Sequence, residues 1–284
     1  MSRRKTDMVT VGLRLHDAAG NNLEEMAKNA ADQGFKCVHI ALSKLIKEYS
    51  TADAALTPGL AMHLKKIFDK NGLDIAVLGN YLNLATPDQN DLAANTHRYL
   101  AHLRFASLLG CGVVGTETGA PNVDYHTEPA CYTQESLELF IRNLAPVVEY
   151  AENMGVIIAI EPVFRHIVCN PKRARYVLDK IASPNLQIIF DPVNLLDISN
   201  YREAQSIFAE AVELLGDDTA VVHIKDFIVE GDKLISCAAG TGCMDYSLIA
   251  DFIRKDKPYI QCTLEDTKPD NAVKAREYFE GLFR

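Results

Sequence analysis

The stretch GVIIAIEPVFRHIVCNPKRARYVLDKIASPNLQIIFDP, residues 155–192, decides the fold. It holds two short apolar, β-branched runs, GVIIAIE (155–161) and LQIIFD (186–191), and each ends in an acid. Runs that are apolar on both faces belong to strands buried in a parallel sheet. The two acids, Glu161 and Asp191, lie 30 residues apart, about one strand–helix unit. The pattern continues downstream. AVVHIK (220–225) carries His223, 32 residues after Asp191, and YIQCTL (259–264) runs into Glu265, 42 residues after His223.

Four similar runs precede this half: MVTVGLRL (8–15), KCVHIAL (36–42), LDIAVLG (73–79) and CGVVGTE (111–117). Segments of helical period lie between the runs, and five of them, such as PGLAMHLKKIFDKNG, end in Gly, a helix stop signal. NAVKAREYFEGLFR supplies the last helix. Eight strands, each followed by a helix, predict an α/β fold, a (β/α)8 TIM barrel formed as a single domain over residues 1–284. An open doubly wound sheet would need a Gly-rich turn after its first strand, and RLHDAAGN has no G-x-G-x-x-G. Two departures stand out. DFIVEGDKLISCAAGTG reads as a β-hairpin insertion at about 226–238, which accounts for the longer last gap. GAPNVDYHTEPACYT (119–133) is long enough for a lid or rim segment.

Composition narrows the function. A hydrophobic content of 48% allows a sizeable core. A net charge of −9 disfavours a nucleic-acid partner, because phosphate binding needs clustered Lys and Arg. Seven scattered cysteines without C-x-x-C suit reduced thiols in a cytoplasmic protein. The basic start MSRRKTD passes straight into a strand pattern, and no apolar stretch suits a signal peptide core or a membrane span.

In a closed barrel, consecutive strand ends point to one face, so Glu161, Asp191, His223 and Glu265 can meet at one point. Three carboxylates and an imidazole suit one divalent metal: Mn²⁺ first, with Co²⁺, Mg²⁺ or Zn²⁺ as alternatives. Taken singly, each acid also reads as a cap and His223 as a core histidine. Lys225 follows His223 on the same side of its strand, within reach of a substrate oxygen or phosphate, and Asp226 completes H-I-K-D. Glu117, His16 and Asn83 end or follow other strands and are further substrate-binding candidates, with Tyr81 as an apolar wall. Packing at the strand ends explains any one of them equally well. Gly240-Thr241-Gly242 reads either as a phosphate-holding loop or as a simple turn.

These residues, with E-P after the fifth strand, D-P after the sixth, H-x-K-D after the seventh and L-E-D at the eighth, resemble the xylose isomerase-like barrel superfamily. Within it the chain is similar to the sugar and sugar phosphate isomerases and epimerases, including the ketose 3-epimerases. The resemblance implies a metal held by Glu161, Asp191, His223 and Glu265, with Glu161 and Glu265 also moving the proton. A metal-stabilised enediolate then forms next to a carbonyl, and reprotonation gives epimerisation or isomerisation. In related epimerases a glutamate six residues after the first ligand contacts substrate; here that position is Ile167, and His166 or Arg165 takes its place. Many relatives have His where this chain has Asn194, which bonds a hydroxyl but does not titrate; a turn cap is its other reading. Val229 stands where the 3-epimerases place an Arg. The resemblance also implies a small carbohydrate substrate and a possible homodimer. Competing readings are an inosose-type dehydratase on the same barrel, an abasic-site endonuclease-like enzyme, and a non-catalytic binding protein.

Overall fold

Ten strands and nine helices form among the described residues, 9–284, of the computed structural model. The basic segment at residues 1–7 and the first residue of the run at 8–15 lie outside them. In chain order the strands are β1 (Thr10–Arg14), β2 (Cys37–Ile40), β3 (Asp74–Gly79), β4 (Val113–Glu117), β5 (Ile157–Glu161), β6 (Leu186–Phe190), β7 (Thr219–Ile224), β8 (Asp226–Glu230), β9 (Lys233–Cys237) and β10 (Gln261–Leu264). Eight of them close into a parallel barrel in the order β1-β10-β7-β6-β5-β4-β3-β2. The chain is a single-domain (β/α)8 barrel.

The helices are α1 (Leu23–Asp32), α2 (Leu42–Leu45), α3 (Pro58–Asn71), α4 (Gln89–Leu109), α5 (Gln134–Met154), α6 (Pro171–Ile181), α7 (Ala204–Leu215), α8 (Ser247–Asp256) and α9 (Ala272–Gly281). Local chemistry sets their ends. Asp88 accepts from the Asn90 and Asp91 amides at the start of α4, and Asn170 caps α6 ahead of Pro171. Gly155 ends α5 at φ 64°, a left-handed turn that costs glycine little and feeds the chain into β5.

Side-chain alternation splits the core in two. Outward residues such as Leu13, Ile40, Val114, Ile160, Val222 and Leu264 join helix residues including Phe105, Phe140, Phe208 and Phe279 in one continuous layer. Inward residues Cys37, Val77, Val113, Ala159, Ile189 and Val221 form a small plug inside the barrel. The plug is the floor on which the site stands. The run at 259–264 starts later than its apolar pattern predicts: Tyr259 sits at φ 74°, a conformation that cannot continue a strand, and β10 begins at Gln261.

Strands β8 and β9 pair antiparallel, Asp226 opposite Cys237, and stand apart from the barrel sheet. The segment 119–133 is pinned rather than loose. The Asn83 amide donates to the Ala120 and Asn122 carbonyls at 2.8 Å each, and the Thr127 hydroxyl donates to the Arg165 carbonyl. No helix of the described residues is long and apolar enough to cross a membrane.

Candidate active site

The alternation that builds the plug also lifts the next inward residue of each strand to the barrel mouth. Ala159 is followed by Glu161, Ile189 by Asp191, and Val221 by His223 and then Lys225. In register, Glu117 lies beside Glu161, Thr263 beside His223, and Arg14 beside His39. These side chains surround a cavity of about 560 Å³ lined by Arg14, His16, His39, Asn80, Tyr81, Glu117, Glu161, Asn194, Lys225, Glu265 and others.

His223 is the centre. Its Nδ1 lies 3.5 Å from Glu161 Oε1, 3.5 Å from Glu265 Oε1 and 4.0 Å from Asp191 Oδ2, and neither ring nitrogen has a hydrogen-bond partner. All four residues are buried. Donors that share one small divalent ion at about 2.0–2.2 Å stand about 3–3.5 Å apart when adjacent, close to the spacing found here. One N donor and O donors from Glu161 and Asp191 lie within 4.8 Å of one another, and a second such group joins His39, His223 and Glu265. The donor set therefore fits a divalent metal.

A layer of contacts orients the donors. The Asn194 side-chain amide donates to Glu161 Oε1 at 2.6 Å, and its backbone N–H donates to Asp191 Oδ1 at 3.0 Å. Asp191 thus caps the turn that carries Asn194, and Asn194 ties the two acids together. Lys225 Nζ is 2.7 Å from Asp191 Oδ2 and 3.1 Å from Glu265 Oε2. Such partners fix the orientation of ligand side chains and tune their basicity.

Crowding shifts the ionisation of these groups. Burial acts to raise Glu265, but Lys225, His223 and Arg14 outweigh it and hold the carboxyl well below the usual range. Burial raises Asp191 to about 6, with Lys225 pulling the other way. Burial, then Glu161 and Glu265, raise Glu117 to about 7. Burial acts to lower His223, but Glu265 and Glu161 outweigh it and push the imidazole up to about 9.

The remaining candidates divide. Glu117 and His16 line the cavity. His166 sits behind Glu117, its Nδ1 3.6 Å from Glu117 Oε2, while the Tyr125 hydroxyl donates to the same oxygen at 3.4 Å. Asp226 is corrected from substrate contact to structural anchor. Its carboxylate accepts from the Phe227, Gly240, Gly242 and Met244 amides and closes the base of the hairpin. Those bonds also occupy the Gly240 and Gly242 amides, so the phosphate reading of Gly-Thr-Gly falls. Asn83 is corrected likewise: besides its two carbonyl contacts it accepts from the Ala85 amide, and it ties loops together away from the cavity. Tyr81 is more than an apolar wall, because its hydroxyl shares a 3.1 Å hydrogen bond with His39 Nε2.

Sequence reasoning missed His39, Arg14, Asn80 and His102. His39 stacks on His223, ring centroids 5.2 Å apart, and burial followed by His223 keeps it neutral. Arg14 meets Asp17 at 2.9 Å, Asp266 at 3.3 Å and Glu265 at 3.8 Å. A readable signal existed for both: each is a polar residue in phase with the inward face of an apolar run. Gly79 makes room for the His39 arrangement, since a Cβ there would come within 2.6 Å of His39 Nε2.

The family model described as the xylose isomerase-like TIM barrel matches residues 27–282. The chain belongs to this family. No curated protein matches the chain. Among solved structures, this xylose isomerase-like barrel is similar to a D-tagatose 3-epimerase-like protein, with 18% identity, 96% and 97% of the two chains covered and a TM-score of 0.76. It is also similar to a 3-keto-D-glucoside 4-epimerase from E. coli, with 15% identity, 96% and 98% covered and a TM-score of 0.73. A third likeness is to the IOLI protein with a binding zinc atom, with 15% identity, 97% and 98% covered and a TM-score of 0.70. At these identities the likeness speaks for the fold.

Proposed function

We propose that this barrel is a divalent-metal-dependent isomerase or epimerase of a sugar or sugar phosphate, acting on a C–H next to a carbonyl. One observation carries the reading. Glu161 and Glu265, from strands separated by β6 and β7, approach His223 Nδ1 to 3.5 Å from two sides and open onto a polar cavity. Glu161, Asp191, His223 and Glu265 are the residues that would hold the metal, with Mn²⁺ the first ion to test. Bound there, a divalent ion supplies the positive charge that makes such a C–H acidic enough to be lost.

The chain's own groups do the rest. Glu161 Oε1 takes the Asn194 bond, which leaves Oε2 to hold a proton, and Glu265 Oε2 pairs with Lys225, which leaves Oε1. One carboxylate removes the proton and the other returns one from the opposite side, which inverts the carbon. Return to the adjacent carbon exchanges aldose and ketose. Lys225 lines the cavity and steadies negative charge on a substrate oxygen.

Dehydration of a cyclic polyol ketone is the second reading. Glu117 favours it: raised to about 7 beside Glu161, it can give a proton to a departing hydroxyl. The test is deuterium uptake from D₂O, followed by NMR, with Mn²⁺-loaded protein and a panel of ketoses, aldoses, their phosphates and inososes. Label next to a carbonyl that vanishes with EDTA is the expected result, and loss of water by mass identifies dehydration. Absence of label across the panel, with metal shown to be bound, overturns the proposal.

A further inference from the structure

The cavity is wider than the cluster around His223. Its far wall, formed by the ends of β1 and β3 and by α4, holds two buried polar atoms with no partner among the described residues, and an imidazole from α4. Asn80 is fixed by its backbone amide, which donates to the Gly115 carbonyl at 2.9 Å, yet its buried side-chain nitrogen has no partner. His16 Nδ1 is buried and unpartnered in the same way. His102 Nδ1 lies 2.9 Å from the Arg98 carbonyl, which can only accept, so Nδ1 carries the proton and Nε2 is left as an acceptor. All three side chains line the cavity. Buried donors and acceptors without partners are costly, and beside a cavity they favour a ligand that offers them hydrogen bonds.

Charge narrows that ligand. Arg14 is paired with Asp17, Asp266 and Glu265, Arg98 with Asp53 at 2.6 Å, and Lys225 with Asp191 and Glu265. Among the described residues, Lys44 is the one lysine or arginine lining the cavity without an acid within 4.0 Å, and it is exposed at the mouth. Glu117 and Asp266 face the same space. A phosphate would meet one free lysine and two carboxylates. Burial lowers both His16 and His102 to about 4, so neither supplies positive charge at neutral pH.

Resting on the reading above, we infer that His16, Asn80 and His102 form a second subsite that reads hydroxyl groups at the end of the substrate away from the reacting carbon. The substrate is an uncharged polyhydroxy compound and not a sugar phosphate. A hydroxyl both donates and accepts, which matches a wall offering an amide N–H, an imidazole acceptor and a second imidazole nitrogen.

Binding of unreactive probes tests this apart from the chemistry. Metal-loaded protein is titrated with D-sorbitol, D-mannitol and myo-inositol, and with D-sorbitol 6-phosphate and inorganic phosphate, using saturation-transfer NMR. The expected result is binding of at least one neutral polyol, with sorbitol 6-phosphate about tenfold weaker than sorbitol or absent. Asn80→Ala and the shape-preserving Asn80→Asp should each weaken the polyol about tenfold, as loss of one hydrogen bond does. Lys44→Ala should leave it unchanged. The inference is overturned if no neutral polyol binds, if phosphates bind more tightly, or if both Asn80 variants, with unchanged melting temperature, bind as the parent does. Polyol binding that depends on Asn80 without any deuterium uptake would overturn the proposed reaction and leave the subsite standing.

Discussion

The two sides of the barrel mouth are built on different electrostatic principles. From β5 through β6 and β7 to β10, the strand ends present three carboxylates, an imidazole and an ammonium, each charge held within 4.0 Å of an opposite one. From β1 to β4 the mouth carries neutral groups, His39, Tyr81, Asn80 and His16, with Arg14 and Glu117 at its edges. Buried charges survive only in mutual contact, and buried neutral polar groups only with hydrogen bonds. On the proposed reading, one side holds an ion and moves a proton, and the other holds the body of an uncharged molecule. A substitution should affect chemistry on the first side and recognition on the second.

Glu265→Gln should give the largest separation. It keeps the shape and removes both the charge and the proton acceptor, so deuterium uptake should fall by about 10²–10⁴, the usual weight of a positioned base. Metal content measured alongside distinguishes loss of the ion from loss of the base. Turnover within tenfold of the parent, with metal retained, would remove Glu265 from the proton-moving side.

Lys225→Met should come next. The ammonium is buried between Asp191 and Glu265, and its loss takes from two buried acids the cation nearest to both. Removing one member of a buried ion cluster costs about 3–5 kcal/mol. Thermal melting should show that loss in metal-free protein, and Mn²⁺ should restore more of it than it adds to the parent, because a bound cation replaces the missing charge. Equal metal-induced shifts in parent and variant would mean that Lys225 and the ion act at separate places.

These contrasts explain what could be read in advance. The barrel was legible because the strands are short, β-branched, apolar runs and five of the helical segments between them end in Gly stop signals. Glu161, Asp191, His223 and Glu265 could be read as residues that meet because they recur at the ends of four successive apolar runs, although each taken singly also reads as a cap or a core histidine. His39 is in phase with the inward face of KCVHIAL but was missed, because a packed imidazole gives the same signal. His102 was hidden on α4, since a helix-borne residue reaches the cavity only through the tertiary path of its helix. Asp226 misled because it stands next to Lys225 in H-I-K-D, yet alternation sends neighbours to opposite sides. Lys225 points into the cavity and Asp226 towards the amides of 240–244.

Asp226→Asn tests that last division. The carboxylate accepts four backbone amides, and an Asn side chain would turn an NH₂ group towards two of them. A loss of about 3 kcal/mol is expected, as for one or two hydrogen bonds to a buried charge. Faster hydrogen exchange at 240–244, with unchanged metal affinity, would place the damage in the hairpin base. A fall in metal affinity as large as that of Lys225→Met would join the two neighbours in one function and undo the contrast.

Tyr81→Phe should have the smallest effect. The hydroxyl shares one hydrogen bond with His39 Nε2, in a part-buried position on the neutral side. Its removal leaves that nitrogen without a partner and should cost about 1 kcal/mol of stability. Metal affinity should change little, because Tyr81 bonds His39 and none of Glu161, Asp191, His223 and Glu265, the residues that would hold the ion. The rate should fall by less than tenfold, through a loosened His39 whose ring still stacks on His223. A hundredfold fall in deuterium uptake with unchanged binding would mean that the Tyr81–His39 pair carries protons. The boundary between the two sides would then run between β1 and β2 rather than between β4 and β5.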